Sequence, residues 1–430
     1  MKLARVKEKE ARLLLPTYDR QPLLLERGKG VHLYDAEGKK YLDFVSGIGV
    51  NALGYGDRAV LKTIAKQSAK LIHTSNLYYH EFTAKIAERL TRTAGLDRVF
   101  LSNSGTEAFE AALKIARAYA KKTASSGSEP KWRVLAMENS FHGRTYGAMS
   151  TTGQSKYRDA FAPVVPGVEF VRFNDVEDLK QKFNDSVCAV ALEVVQGEGG
   201  IQPVTRDFLE TARALTAGSG ALLIIDEIQS GLGRTGEWFA FQHYGITPDV
   251  LTVAKPIAGG LALGAVLTTN EAASCLKPGM HGSTFGGGPL ACAVACTVLD
   301  EIEKRKLIKS NRELGKYFVK QLEKLKKKHR SLRVVRGLGL MVAAELDEGD
   351  LAKAAVSAML DRGIIINRTH ETSLRFLPPY TIGKKHIDQV VDALGATLKQ
   401  LEKTHKKSSQ KKSHAQHAPE PELVAQGSAH

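Results

Sequence analysis

ALLIIDEIQSGLGRTGEWFAFQHYGITPDVLTVAKPIAGG, residues 221–260, decides the fold of this chain. An apolar run with β-type side chains ends in an acid, Asp226, and about thirty residues later a second run, DVLTVAK, ends in Lys255. Short apolar runs bounded by turn residues read as buried strands. A lysine just after such a strand is unusual unless it is paired or used chemically. Hydrophobic-Asp-Glu after a strand also occurs in phosphate-binding ATPases, but the G-x-x-x-x-G-K-[ST] loop they require is absent from the sequence. Gly231, Gly233 and Gly236 spell G-x-G-x-x-G. Polar residues separate them from their strand and Asp249 stands too close to be a ribose acid, so the stretch reads as a turn-rich active-site loop. An acid and a lysine on two strand ends suit pyridoxal 5'-phosphate. The lysine forms the Schiff base and the acid holds the pyridinium nitrogen protonated.

Working outward, 430 residues can hold two sizeable cores, and 43% hydrophobic with 25% charged residues is ordinary for a globular enzyme. No uninterrupted apolar stretch is long enough to span a bilayer. The N-terminal MKLARVKEKEARLLLP is basic, but acids interrupt it and no apolar core with a cleavage site follows, so it does not read as a secretory signal. Cys188, Cys275, Cys292 and Cys296 form no C-x-x-C pair. They suggest neither a disulfide framework nor a metal site, and a cytoplasmic protein is expected. The formal charge of +15 gathers near residues 1–12, at Lys324, Lys326, Lys327, Lys328 and Arg330, and in a tail from Lys403. No nucleic-acid motif accompanies it, so it reads as solvated surface that could draw in anionic keto acids and phosphate; no nucleic-acid or membrane partner is expected.

VHLYDAEGKKYLDFVSG reads as a hairpin turning at Ala36-Glu37-Gly38, and residues 58–93 as helical. The strand RVFLSN leads into a helix, TEAFEAALKIARAYAKK, with Phe109, Leu113, Ala116 and Ala120 on one face. Strands and helices then alternate: RVLAME, VEFVRF, a helix near 176–183, CAVALEVV, a helix near 206–217, ALLIIDE and DVLTVAK. This alternation predicts an α/β fold with a mostly parallel sheet covered by helices. A long helix begins near Pro289. The expected division is an N-terminal segment, 1–60, joining a small domain; a large cofactor-binding domain, 61–305; a smaller α+β domain, 306–402; and a disordered basic tail, 403–430. The small domain reads as a helix at 311–328, strands RVVRGLGLMVAAEL, IIINRT and LRFLPP, and a final helix from about 384.

Further groups stand at successive strand ends. Ser104, Gly105 and Thr106 open a helix, where free N–H groups favour a phosphate; Ser104 and Glu107 also fit a capping box. Phe141 and His142 in NSFHGR offer an aromatic face, and Arg144 a fork for a carboxylate. Glu193 ends a strand and Glu198 stands in a glycine-rich loop. Ser283 and Thr284 could donate to phosphate or cap the next helix, and Arg375 could bind an anion or anchor its strand. Ligands bind at the carboxyl ends of such strands, and the joint order favours a cofactor enzyme.

With SNSGTEA, NSFHGRT, VVQGEGG, DEIQSGLGRTG, YGITPDVLTVAK and HGSTFGGGPLACAVA, the chain resembles the class III aminotransferases of fold-type I, the ornithine and acetylornithine group, from about Thr17 to Leu401. The resemblance implies pyridoxal phosphate held by Ser104, Gly105 and Thr106, with His142 beside it, Phe141 on one ring face and Ile228 on the other. Asp226 would pair with the ring nitrogen, Gln229 would neighbour the phenolic oxygen, and Lys255 would carry the cofactor. Thr284 would reach the phosphate of a neighbouring subunit, implying a homodimer with shared active sites. In the acetylornithine branch, to which the match is greatest, Arg144 would bind the donor α-carboxylate and Arg375 that of glutamate, with Glu198 as its movable partner; Tyr18, Ile48 and Ser283 complete the substrate contacts. Ornithine-specific members carry tyrosine where Ile48 stands; an apolar residue fits an acylated amino group. Gly288 and Pro256 depart from the usual Asn and small residue. The implied reaction moves the δ-amino group of N-acetylornithine to 2-oxoglutarate in arginine synthesis. Ornithine, acetyllysine, 4-aminobutyrate and succinyl-diaminopimelate remain alternative donors. A decarboxylase and a non-enzymatic binding protein are further alternatives, the first disfavoured by two carboxylate-gripping arginines and the second by Asp226 and Lys255 together.

Overall fold

The computed structural model describes residues 2–415. Strands Leu25–Lys29 (β1), His32–Asp35 (β2) and Lys40–Asp43 (β3) form an antiparallel meander. Its second turn closes where expected: Asp35 Oδ1 accepts the N–H groups of Glu37 and Lys39, and Gly38 takes φ +84°.

The main sheet comprises Arg98–Ser102 (β4), Arg133–Met137 (β5), Val168–Val171 (β6), Val187–Glu193 (β7), Leu222–Asp226 (β8), Val250–Val253 (β9) and Gly264–Thr268 (β10). Their order is β4-β10-β9-β8-β7-β5-β6. All run parallel except β10, which is antiparallel to both neighbours. Every residue of β7, β8 and β9 is buried, which explains their continuous apolar reading. The alternating reading missed β10 because no crossover helix precedes it. Gly264 at its start is required: a Cβ there would lie 2.3 Å from the Ser104 carbonyl oxygen.

A second antiparallel sheet joins Leu332–Leu338 (β11), Met341–Leu346 (β12), Asn367–Thr369 (β14) and Ser373–Phe376 (β15) in the order β11-β12-β15-β14. Ile364–Ile365 (β13) instead pairs with β3. Leu42 and Phe44 share an apolar cluster with Leu314, Phe318, Ala355 and Leu398, so the N-terminal hairpin packs with the C-terminal unit.

Three helical readings are corrected. The helix expected over 58–93 is two, Arg58–Ser68 and Glu81–Ala94; His80 Nδ1 accepts the Thr83 N–H to start the second. Leu71, Ile72, Leu77, Tyr78 and Tyr79 in the break are exposed, so their apolar character is not that of a buried helix face. Two helices were not expected, Leu3–Leu13 and Gly349–Asp361, the latter on alanine-rich sequence of good helix propensity. The last helix runs Lys384–Ala415, so the tail expected to lack structure from Lys403 is helical as far as Ala415. Lys, Gln, Ser and Ala prolong an already nucleated helix at little cost. Residues 416–430 lie outside the described residues. Among the described residues, no helix is long and apolar enough to cross a membrane.

Candidate active site

The carboxyl ends of β4, β5, β7, β8 and β9 border one cavity of about 450 Å³. On one side the helix Gly105–Thr123 begins. Ser104 Oγ accepts the Glu107 N–H at 3.3 Å, so the cap forms; Glu107 Oε2 returns to the Asn103 N–H instead of that of Ser104. Gly105 and Thr106 face the cavity at the positive end of this helix. A Cβ on Gly105 would stand 2.8 Å from Ile228 Cδ1, so only glycine admits Ile228 here. Thr106 Oγ1 lies 2.7 Å from Thr145 Oγ1 and accepts the N–H groups of Arg144 and Thr145.

Asp226 ends β8 in the middle of the sheet. Its Oδ1 accepts the Ile228 N–H at 3.0 Å and its Oδ2 lies 2.7 Å from His142 Nδ1. The imidazole stacks on Phe109, with centroids 4.1 Å apart and planes 8° from parallel. His142 therefore holds Asp226 in place, and it lines the cavity together with Phe141 and Ile228.

Lys255 opens the short turn Lys255–Ala258 after β9 and borders the cavity. Pro256 occupies the first turn of this element, where a missing N–H is tolerated. Burial pulls the Lys255 ammonium below its ordinary range, although Glu198 and Asp226 oppose the change. A lysine so placed gives up its proton more readily than a solvated one. Glu193 lies beside Asp226 across β7 and β8; burial pushes its carboxyl up to about 7 against the opposing charge of His142.

Opposite, Arg375 of β15 is 2% exposed. Its Nη1 lies 2.5 Å from Glu198 Oε1 and also donates to the Gly197 carbonyl and Gln229 Oε1. Burial raises the Glu198 carboxyl, but the Arg375 charge and hydrogen bond outweigh it and hold the acid ionised. Arg144 is exposed at the rim, 4.0 Å above the Tyr157 ring centroid and 5.5 Å from that of Phe141. Tyr157 was not anticipated; it sits in a brief 3-10 turn that carries no motif.

Tyr18, Ile48, Ser283 and Thr284 do not line the cavity of the single chain. Tyr18 is 76% exposed and Ile48 40%. Ile48 belongs to a left-handed turn, Ser46 to Gly49, in which all four φ angles are positive. Asp43 Oδ1 holds it by accepting the Val45 and Ser46 N–H groups, and Val50 just beyond reaches the cavity. Ser283 Oγ accepts from Gly286 N–H and Asn103 Nδ2, so it braces the phosphate-side loop. Gly288 is the N-cap of the helix Pro289–Lys304. Among the described residues no cluster of three His, Cys, Asp or Glu could hold a metal ion.

These groups fit pyridoxal phosphate. The glycine-lined helix start suits an anion, Asp226 a protonated ring nitrogen, and the half-buried Lys255 a covalent link.

A family model described as aminotransferase class-III matches residues 15–398. The acetylornithine aminotransferase of Methanocaldococcus jannaschii is 46% identical over 397 residues, covering 92% of this chain and 98% of that protein. That of Aquifex aeolicus is 44% identical over 388 residues, covering 90% and 99%. Among solved structures, the ornithine aminotransferase of Toxoplasma gondii gives a TM-score of 0.89 at 31% identity, covering 94% of this chain and 96% of that one. The acetylornithine aminotransferase of Elizabethkingia anophelis gives 0.82 at 30%, covering 93% and 100%.

Proposed function

The chain belongs to the class-III aminotransferases, enzymes that depend on pyridoxal phosphate, and we propose that it moves the δ-amino group of N-acetylornithine to 2-oxoglutarate. The products are N-acetylglutamate semialdehyde and glutamate. The observation that carries this choice is the Glu198–Arg375 pair at 2.5 Å, in a site whose relatives at 41–46% identity are named acetylornithine aminotransferases.

When bound, the cofactor draws electron density from the reacting carbon and carries the amino group from donor to acceptor. The residues of the chain supply the rest. Gly105 and Thr106 hold the phosphate, Phe141 and Ile228 enclose the ring, and Asp226, steadied by His142, keeps the ring nitrogen protonated. Gln229 neighbours the phenolic oxygen. Lys255 would bind the cofactor covalently at rest and move the proton at the reacting carbon during transfer; burial favours its neutral form relative to a solvated lysine. Arg144 takes the donor α-carboxylate. Arg375 is covered by Glu198 while acetylornithine reacts, because a bare buried arginine would be costly. Glu198 swings away when 2-oxoglutarate or glutamate brings a carboxylate to the same place.

The active form in this reading is a homodimer. Leu77, Tyr78, Tyr79 and Phe285 are exposed large apolar residues, a surface suited to a second subunit. Thr284 beside Phe285 is then directed to the partner's phosphate, and Tyr18 and Ile48 border the completed entrance. Ornithine is the second reading, since structural neighbours at 31% identity are named ornithine aminotransferases; the apolar side chain of Ile48 favours the acylated donor. Lys255→Ala tests the chemistry. It should bind cofactor without covalent attachment after borohydride reduction and lose nearly all transfer. A variant that retains transfer would overturn the reading.

A further inference from the structure

Glu193 ends β7 beside Asp226, and the transfer described above gives it no task. It is buried, and each carboxyl oxygen accepts one backbone N–H: Oε1 from Phe141 at 2.9 Å and Oε2 from Gly197 at 2.9 Å. The two donors lie on separate segments. Phe141 follows β5 and forms part of the cavity wall. Gly197 directly precedes Glu198, and its carbonyl accepts from Arg375 Nη1 at 3.2 Å. Gly197 has little freedom of its own, since a Cβ there would stand 2.5 Å from the Gln229 amide. A single side chain therefore bridges the wall beside the ring and the base of the Glu198–Arg375 pair.

We infer that Glu193 is a positioning residue that ties the Phe141 segment to the Gly197–Glu198 segment, so that opening of the Glu198–Arg375 pair is transmitted to the cavity wall. The inference rests on the reading above, in which that pair opens in one half of the reaction. In either protonation state each carboxyl oxygen can accept its N–H, and loss of the side chain leaves both the Phe141 and Gly197 N–H groups without this acceptor. A glutamate that merely fills the strand end would steady each loop separately and transmit nothing.

The two cases separate in a double-mutant cycle on the holoenzyme. Amide hydrogen exchange of the peptide spanning residues 138–144 is compared in the wild type, Glu198→Ala, Glu193→Gln and the double variant. Glu193→Gln leaves one acceptor oxygen for two donors. Glu198→Ala should speed exchange of this peptide about 10-fold when Glu193 is present, and no more than about 2-fold beyond Glu193→Gln when it is not. Glu193→Asp, which withdraws both oxygens by one methylene, should also lose the response. A full response in the Glu193→Gln or the Glu193→Asp background overturns the inference. The half-reactions of the same proteins distinguish the underlying reading: if Glu198→Ala slows both halves equally, the switch fails and the tie with it. Unequal halves with equal exchange in all backgrounds overturn the tie alone.

Discussion

Arg375 Nη1 and Glu198 Oε1 stand 2.5 Å apart, bringing a strand of the C-terminal sheet against a loop that follows β7 of the main sheet. Through Glu198 the contact borders the cavity. In the proposed reading it also places the charge most suited to a carboxylate substrate under a removable cover.

Glu198→Ala should therefore act unevenly. A charge-assisted hydrogen bond of this kind is worth about 1.5–3 kcal/mol. At about 1.4 kcal/mol per factor of ten, the acetylornithine half-reaction should slow roughly 10–150-fold while the glutamate half is spared or improved. Arg375→Ala should mainly harm glutamate. Single-turnover absorbance of each half measures both, and equal losses for Glu198→Ala would leave that acid a structural role only.

Ile48→Tyr should move donor preference from acetylornithine towards free ornithine by roughly 10–200-fold, the range of about 1–3 kcal/mol open to one packing contact. The position already tolerates a bulky residue at φ +62°, so the exchange should leave the turn formed. Competition between the two donors reads the change. No shift would remove Ile48 from the entrance.

Glu227 should give stability an unusual pH slope. Burial pushes its carboxyl up to about 7, despite hydrogen bonds from the Ala240 and Phe241 N–H groups and Ser230. Its folded value lies above its unfolded value, so its contribution is complete below the unfolded value, about 4.3. It is lost as pH rises to about 7. At most this is roughly 1.4 kcal/mol per pH unit. Glu227→Gln lowers Tm by removing an acceptor, but its Tm should fall less between pH 5 and 7 than that of the wild type. Parallel curves would show that Glu227 does not titrate there.

Cutting after Lys403 should change Tm and activity little. Glu402, which binds Ser331 and His329 and so fastens the last helix to the body, is retained. Glu402→Ala should cost more stability than the whole truncation. The reverse order would mean that the helix beyond Lys403 docks on the body.

The sequence was most legible where burial is complete. The apolar runs of β7, β8 and β9 could be only central strands, and Asp226 and Lys255 mark their ends as chemical. Less legible were elements set by tertiary context. β10 lacks a crossover helix, and the break between Ser68 and Glu81 carries apolar residues exposed in the single chain. The stacking of His142 on Phe109 and its contact with Asp226 were not legible, because nothing in NSFHGR announces either partner. Glu193 and Tyr157 gave little signal, since one acts through backbone N–H groups and the other through a distant arginine.

The most direct test of the whole account offers the holoenzyme equal concentrations of N-acetylornithine, ornithine, acetyllysine, 4-aminobutyrate and succinyl-diaminopimelate with 2-oxoglutarate, and follows loss of each donor. N-acetylornithine should disappear at least about 10-fold faster than any other, a margin of roughly 1.4 kcal/mol, with one glutamate formed per donor consumed. Faster loss of ornithine, or donor loss without glutamate, would contradict it.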